Sequence, residues 1–327
     1  MEQRKKYKPE QVTIVIPTYR RAEEVEKTLT AIQALNPKPG EVIIVDQSET
    51  DETKKICKQK KAKYLFSPIP SANIARNKGA EAARKQAKII VFMDDDVTLD
   101  KGYIKNIVET FNKYPKVEAV SGFFNDEGVT EFSFRTKIEQ NIKRFFFLGH
   151  VLEKDKQRLN SPYGNTGPLK LIKEIQTEWL CGTNIAVRRE TTKKIKFDEH
   201  LLGYGIGDDI DLTYQIWGKN HEGLILTPFA KLVHRSARVG KKDIKKYSYL
   251  NQIDHFYLFS KHFNNTFKNR IKFIWALFGI FLLRTISLLS CTKEAIQKWW
   301  YFLISLVYSL LNWKKIKQGK VREFLKQ

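Results

Sequence analysis

Along the first 125 residues, short apolar runs alternate with segments whose apolar positions recur every three or four residues. Val12–Pro17 reads as a strand, and from Ala22 to Leu35 the residues Val25, Leu29, Ile32 and Leu35 share one face of a helix. Glu41–Asp46 is predicted as a strand, Asp51–Lys61 as a basic helix and Lys63–Phe66 as a short strand. Ser71 stands where it would cap a helix reaching about Gln86, and the β-rich run Ile89–Met93 follows. Asp100–Tyr114 is predicted helical and Val117–Phe124 extended. This βαβ rhythm implies an α/β nucleotide-binding domain with a mostly parallel sheet flanked by helices. No G-x-G-x-x-G follows the first strand, which argues against a dinucleotide oxidoreductase.

The rhythm fails over residues 125–178, which are aromatic and basic and include the loop SPYGNTGP. So long an irregular insertion in a compact domain is usually functional, although weak strand signals hide ordinary structure equally well. Beyond it, a strand is predicted near Asn184–Arg188, a helix from Asp208 to about Lys219, strands at Gly223–Leu226 and Lys231–His234, and a linking helix at Tyr247–Phe263. Two strongly apolar runs come last, residues 271–290 and Trp299–Trp313, and a lysine-rich tail follows them. The expected division is a basic arm at 1–11, an α/β unit at 12–240 with the insertion 125–178, and an apolar helical C-terminal extension at 241–327.

Charge sharpens the reading of that extension. The chain carries a net charge of +22, and residues 251–327 hold 13 Lys and Arg against 3 Asp and Glu. Nucleic acid and an anionic membrane surface are the two partners such a balance suits. Tryptophans at the edges of apolar segments flanked by lysines favour the membrane, and no basic stripe with stacking aromatics on a nucleic-acid-binding fold is present. Residues 271–290 reach spanning length only by including Lys272 and Arg284, and 299–313 is short for a span. Helices lying in the membrane plane fit better than a spanning hairpin. The three cysteines are far apart without metal-ligand spacing, and the basic N-terminus lacks a long apolar run, so reduced thiols and no secretory signal are expected.

Candidate chemistry begins with Asp94, Asp95 and Asp96 at the end of the run Ile89–Met93. Ligands of open α/β sheets bind beyond the carboxyl ends of the strands. Three carboxylates held there repel one another unless a cation intervenes. A divalent metal carrying a nucleotide diphosphate meets that need; an acidic turn capping the next helix is the alternative. Arg76 and Asn77 lie in the helix opened by Ser71, where a guanidinium suits phosphate or base recognition or stays solvated. Asp208, Asp209 and Asp211 suit a helix start, and an aspartate within reach of a sugar hydroxyl also makes a credible general base. Trp179 offers a ring face to a sugar or packs in the core.

VTIVIPTYRR, EVIIVDQSETDET, SANIARNKG and IIVFMDDDV, followed in order by WLCGTNIAVRRE, FDEHLLGYGIGDDIDL and AKLVHRSA, make residues 12–236 resemble the family 2 glycosyltransferases. The resemblance implies a GT-A fold and inverting transfer from a nucleoside-diphosphate sugar, with a UDP-sugar the expected donor. The implied acceptor is a hydroxyl of a glycan or lipid-linked molecule in cell-envelope polysaccharide synthesis, met at the cytoplasmic face of the membrane. It further implies donor contacts from Pro17, Thr18, Tyr19, Arg20, Asp46, Arg76, Asp94 and Asp95. A divalent metal, Mn²⁺ or Mg²⁺, would sit on Asp96 and His234, with Asp209 as catalytic base and Trp179, Gly182, Asp208 and the insertion 125–178 on the acceptor side. Gln47 stands where the family often has another aspartate, Asp208 replaces the usual glutamate, and the arginine of the family's linker-helix motif is missing from YSYLNQIDHFYLFSKHF. Polyprenyl-phosphate sugar synthases share the fold, but they typically follow the acidic motif with Leu-Gln, where this chain has Val97-Thr98.

Overall fold

In the computed structural model, which describes residues 6–126, 134–149, 151–153, 156–159, 161–163, 171–201, 205–235, 243–264 and 266–320, the N-terminal alternation folds as its pattern requires. Strand β1 (Val12–Thr18) leads to helix α1 (Ala22–Gln33), then β2 (Glu41–Asp46), α2 (Glu52–Gln59), β3 (Lys63–Phe66), α3 (Ala72–Glu81) and β4 (Ile89–Met93). These four strands pair in the order β3-β2-β1-β4, all parallel. Every residue of β1 and β4 is buried, because helices cover both faces of the sheet. The α1 stripe of Val25, Leu29 and Ile32 seals one face, each fully buried aliphatic contributing about 1.5–3 kcal/mol.

Next come β5 (Val97–Leu99), α4 (Tyr103–Lys113), β6 (Ala119–Asp126), α5 (Phe134–Phe145), β7 (Val151–Glu153), β8 (Lys156–Arg158), β9 (Ile175–Thr177), β10 (Asn184–Arg188), α6 (Arg189–Thr192), α7 (Asp208–Lys219) and β11 (Leu224–His234). The sheet continues β4-β10-β6-β11-β9-β8-β7, with β10 antiparallel to both neighbours, β6 parallel to β11 and β8 parallel to β9, so the first half is wholly parallel and the second half mixed. Among its described residues, the irregular 125–178 segment contains ordinary structure, one helix and three short strands. The two strands expected at 223–226 and 231–234 are a single strand, β11, whose pairing with β6 shifts register between Thr227 and Lys231, around Pro228. Strand β5 was not anticipated: three residues with one exposed threonine carry too little pattern. Its pairing matters, since it sets His234 opposite Val97. Residues 1–5 of the basic arm, most of the SPYGNTGP loop and 321–327 of the tail lie outside the described residues.

Helix α8 (Ile244–His262) leaves the sheet and is followed by α9 (Phe267–Ser287), α10 (Lys293–Leu311) and the short α11 (Trp313–Lys317). Residues Ser248 to Phe259 of α8 are almost all buried, because the helix is held between the α/β unit and a cluster formed with Phe273, Ala276 and Ile316. Such a sandwiched position buries the helix on every side, so Ser248, Gln252, Asp254 and His255 are buried together with its apolar residues. By length and composition, the 24-residue segment Phe267–Ser290 is long and apolar enough to cross a membrane: its most apolar stretch has a mean hydropathy of 1.9, and only 17% of that stretch is buried.

Candidate active site

The carboxyl ends of β1, β2 and β4 open on one side of the sheet, and the aspartate triplet sits there because β4 stops at Met93. Its backbone is held from several directions: Asp94 N donates to Thr183 O at 3.2 Å, and Arg235 N donates to Asp96 O at 2.8 Å. Thr28 Oγ1 donates to Asp95 O at 2.6 Å. The Arg235 guanidinium ties this turn to α1, donating to Val97 O at 2.6 Å and to Glu24 Oε2 at 2.9 Å.

Each aspartate then has its own role. Asp94, the most open of the three, meets Arg76 Nη2 at 3.3 Å, and burial raises its pKa against the pull of Arg76. Asp95 accepts from Thr18 Oγ1 at 2.6 Å and pairs with Arg21 Nη1 at 2.9 Å. Burial pushes its pKa up to about 7. Asp96 pairs with Arg21 Nη2 at 2.6 Å and faces His234 Nε2 at 3.1 Å. Burial opposes its ionisation, yet the hydrogen bonds of His234 and Arg21 hold its pKa well below the ordinary carboxylate value.

Ligand atoms of Asp94, Asp96 and His234 all lie within 4.8 Å of one another. Asp96 Oδ1 and His234 Nε2 stand 3.1 Å apart, close to the roughly 3 Å between adjacent ligands of an octahedral ion with bonds of about 2.1 Å. Carboxylate oxygens and one imidazole form a donor set that Mn²⁺ or Mg²⁺ accepts. The site is also rich in buried negative charge, which a divalent cation would neutralise.

Across the cleft, Gly207 with φ 77° starts α7. A Cβ there would stand 2.4 Å from Leu258 Cδ1 of α8, so glycine serves both the left-handed turn and the close packing. Asp208 receives Arg76 Nη1 at 2.6 Å. Arg76 therefore bridges Asp94 and Asp208, the two sides of the cleft, while its guanidinium lies over the Phe197 ring at 5.1 Å. Asp209 accepts from Gly182 N at 3.0 Å and from Ile210 N at 2.8 Å. Burial raises its pKa, and those two N–H groups work against the rise. Asp208 is likewise raised by burial and by its neighbour Asp209.

The other residues singled out in the sequence occupy varied positions. Asp46, at the end of β2, is fully buried and accepts from Ser48 N at 3.0 Å and Ser48 Oγ at 2.6 Å. Pro17 and Thr18 lie in β1 opposite Val45 and Asp46. Tyr19 and Arg20 point outward, and Arg20 pairs with exposed Glu49 at 2.9 Å. Besides Arg76, the arginine that reaches the triplet is Arg21, next in the chain to Arg20 and not marked by any pattern in the sequence. Arg20 has a positive φ of 56°, and this reversal turns the chain so that Arg21 heads α1 facing the cleft. Trp179 does not offer its ring faces: it is buried with Leu159 and Ile210. Gly182, expected on the acceptor side, supplies the N–H that holds Asp209. Ser71 occupies the cap position of α3, but its hydroxyl makes no cap bond. Instead Asn73 and Asn77 of α3 hold the loop at 197–201, Asn73 Nδ2 donating to Leu201 O at 3.1 Å and Asn77 Nδ2 to Phe197 O at 3.0 Å.

Comparison with known proteins bears directly on this arrangement. The profile described as "Glycosyl transferase family 2" matches residues 13–195, more than half of the chain. This chain belongs to glycosyl transferase family 2. Among curated relatives, the glycosyltransferase GlyA of Streptococcus pneumoniae is 22% identical over 180 residues, covering 51% of this chain and 26% of that protein. The GalNAc(5)-diNAcBac-PP-undecaprenol beta-1,3-glucosyltransferase of Campylobacter jejuni is 25% identical over 107 residues, covering 31% of this chain and 35% of that one. The chain thus spans between 26% and 35% of the lengths of the curated relatives it matches. Among solved structures, the mannosyltransferase PcManGT from Pyrobaculum calidifontis, in complex with GDP-Man and Mn²⁺, superposes with a TM-score of 0.54 at 17% identity, over 93% of this chain and 88% of that one. At such identity the likeness is one of fold, and the fold is that of the GT-A glycosyltransferases. The family match ends at Ile195, so Asp208, Asp209 and His234 join the family 2 triplet only through the tertiary structure.

Proposed function

We propose that this family 2 protein transfers a sugar from a nucleoside-diphosphate sugar to an acceptor hydroxyl with inversion at the anomeric carbon. The observation that carries the reading is the Asp94, Asp96 and His234 cluster at the strand ends, with Asp209 held across the cleft and Arg76 joining the two sides. Asp46, Thr18 and Asp95 would border the nucleoside, with a UDP-sugar as the proposed donor. Asp96 and His234, with Asp94 beside them, would hold Mn²⁺ or Mg²⁺, which when bound neutralises the diphosphate leaving group. Asp209 takes the acceptor's hydroxyl proton as that oxygen bonds to the anomeric carbon. The bond from that carbon to the diphosphate breaks on the opposite face, and the nucleoside diphosphate leaves with the electron pair. The two backbone N–H groups on Asp209 fix its carboxylate and leave each oxygen a further acceptor position.

We further propose that the C-terminal helices dock in the plane of an anionic membrane at its cytoplasmic face, where a glycan or lipid-linked acceptor in cell-envelope synthesis would be met. Support comes from α9, which exposes Phe267, Ile271, Ile274 and Phe278. Arg284 is turned inward over the Phe302 ring of α10 at 5.5 Å, and so keeps its charge off the apolar face. The name of the Campylobacter relative, which includes an undecaprenol-linked substrate, points the same way.

The deciding experiment is Asp209→Asn. Nucleotide binding, followed by calorimetry with Mn²⁺ present, should be retained, while turnover of a nucleotide-sugar panel falls by ~10² or more. Turnover within a few-fold of the parent would remove Asp209 from the chemistry.

A further inference from the structure

Helix α5 belongs to the insertion that the sequence assigned to the acceptor side, yet its surface has another character. Ile138, Ile142 and Phe145 fall at helical spacing on one stripe, and all three are exposed. The end of α5 is fastened to the middle of α9: Trp275 Nε1 donates to Phe145 O at 2.8 Å, and the Phe145 and Trp275 rings meet edge-on at 5.4 Å. Phe146 fills the space beside Gly279, where a Cβ would lie 2.3 Å from the Phe146 Cβ. The α5 stripe therefore runs into the exposed stripe of Ile271, Ile274 and Phe278. Flanking it in sequence are Lys143, which pairs with Glu139 of α5 at 2.7 Å, and Arg144, together with Lys268, Arg270 and Lys272 of α9, a helix that contains no acidic residue.

We propose that α5 and α9 form one docking face for an anionic lipid bilayer, with the insertion supplying its second half. Branched aliphatic and aromatic side chains on one stripe with lysine and arginine beside them match acyl chains below acidic headgroups. The inference rests on the membrane reading above and extends it from the C-terminal region to the catalytic unit. It also ties the bilayer to the chemistry. Phe147 O accepts from Ser161 Oγ at 2.7 Å, and Leu159, two residues before Ser161, packs on Trp179 and Ile210, the wall behind Asp209. A face fixed on the bilayer at α5 holds the base at a set height above the lipid surface.

The test uses the full chain and vesicles of phosphatidylcholine with or without phosphatidylglycerol. Ile138→Gln/Ile142→Gln should weaken partition into the phosphatidylglycerol vesicles by about tenfold, since two aliphatic side chains no longer enter the lipid. Independently, Ile142→Cys in a Cys291→Ser background, labelled with an environment-sensitive dye, should shift its emission to the blue when those vesicles are added. If the parent chain binds neither vesicle, the membrane reading itself fails. If the parent binds, but the double variant binds equally and the dye does not shift, α5 is not at the bilayer and the proposal is overturned. A dye shift that follows protein concentration without vesicles would identify a second copy of the chain as the occupant and overturn it as well.

Discussion

At the scale of single residues, two neighbouring arginines have opposite fates. Arg20 pairs with Glu49 at the surface, while Arg21 bridges Asp95 and Asp96. An exposed pair contributes little, and a partner removed from buried carboxylates leaves them uncompensated. Arg20→Ala should therefore leave stability nearly unchanged. Arg21→Ala should cost about 2–3 kcal/mol in chelator, a loss that Mn²⁺ partly restores because it neutralises the same carboxylates. Melting curves of both variants in EDTA and in Mn²⁺ check this; equal losses would place Arg20 in the site as well. Asp209 yields the second prediction. Only its ionised form accepts a proton, so rate rises as pH rises through its pKa. Burial raises that pKa, so the acid limb of kcat/KM should lie above the ordinary aspartate value of about 3.9. A profile flat down to that value would exclude a buried carboxylate as base.

At the scale of elements, α8 is the part whose role the sequence left open. With the family's arginine missing, the sequence marks it as a linking helix and no more, but its last turn grips α7. Asp211, fully buried, accepts from Lys261 Nζ at 2.7 Å and faces His262 Nε2 at 2.6 Å. Lys261 also reaches Asp198 at 2.5 Å, where Tyr257 OH donates at 2.6 Å. These contacts lock α8 against the turn that carries Asp208 and Asp209. Asp211→Ala should lower stability by about 3 kcal/mol, leaving Lys261 and His262 without their shared carboxylate. It should also reduce turnover more than nucleotide binding, as urea unfolding and calorimetry would report. Loss of nucleotide binding in proportion to turnover would instead make Asp211 part of the donor site. Asp211 was visible in the acidic motif, yet its partners lie some fifty residues away on another helix, a distance no local pattern spans.

At the scale of the whole molecule, α9 to α11 are both outer surface and inner support. Phe273, Ala276 and Ile316 bury Phe256 and Phe259 of α8, so a chain cut after Lys268 would bare that face and aggregate as well as leave a membrane. A cleaner check keeps the chain whole. If docking is in plane, full-length protein bound to anionic vesicles at low salt should be partly released as ionic strength rises, with an apolar fraction retained. Sedimentation at increasing salt measures it, and complete retention would favour a spanning helix.

What the sequence alone determined follows from local physics. Short apolar runs and period-3.6 patterns set β1 to β4, α1 and α7 nearly to the residue, and the triplet after Met93 marked the ligand-binding edge, because those signals lie within a few residues of one another. What only the tertiary structure decided depends on distant pairings. The short β5 brings His234 beside Asp96, the positive φ of Arg20 exchanges one arginine for the next, and Gly182 N meets Asp209 across the cleft. Each is a contact between residues far apart in the chain or a reversal of a single dihedral angle. Neither leaves a periodic trace: motif resemblance names Asp96, His234 and Asp209, but the contacts that hold them in place belong to the tertiary structure.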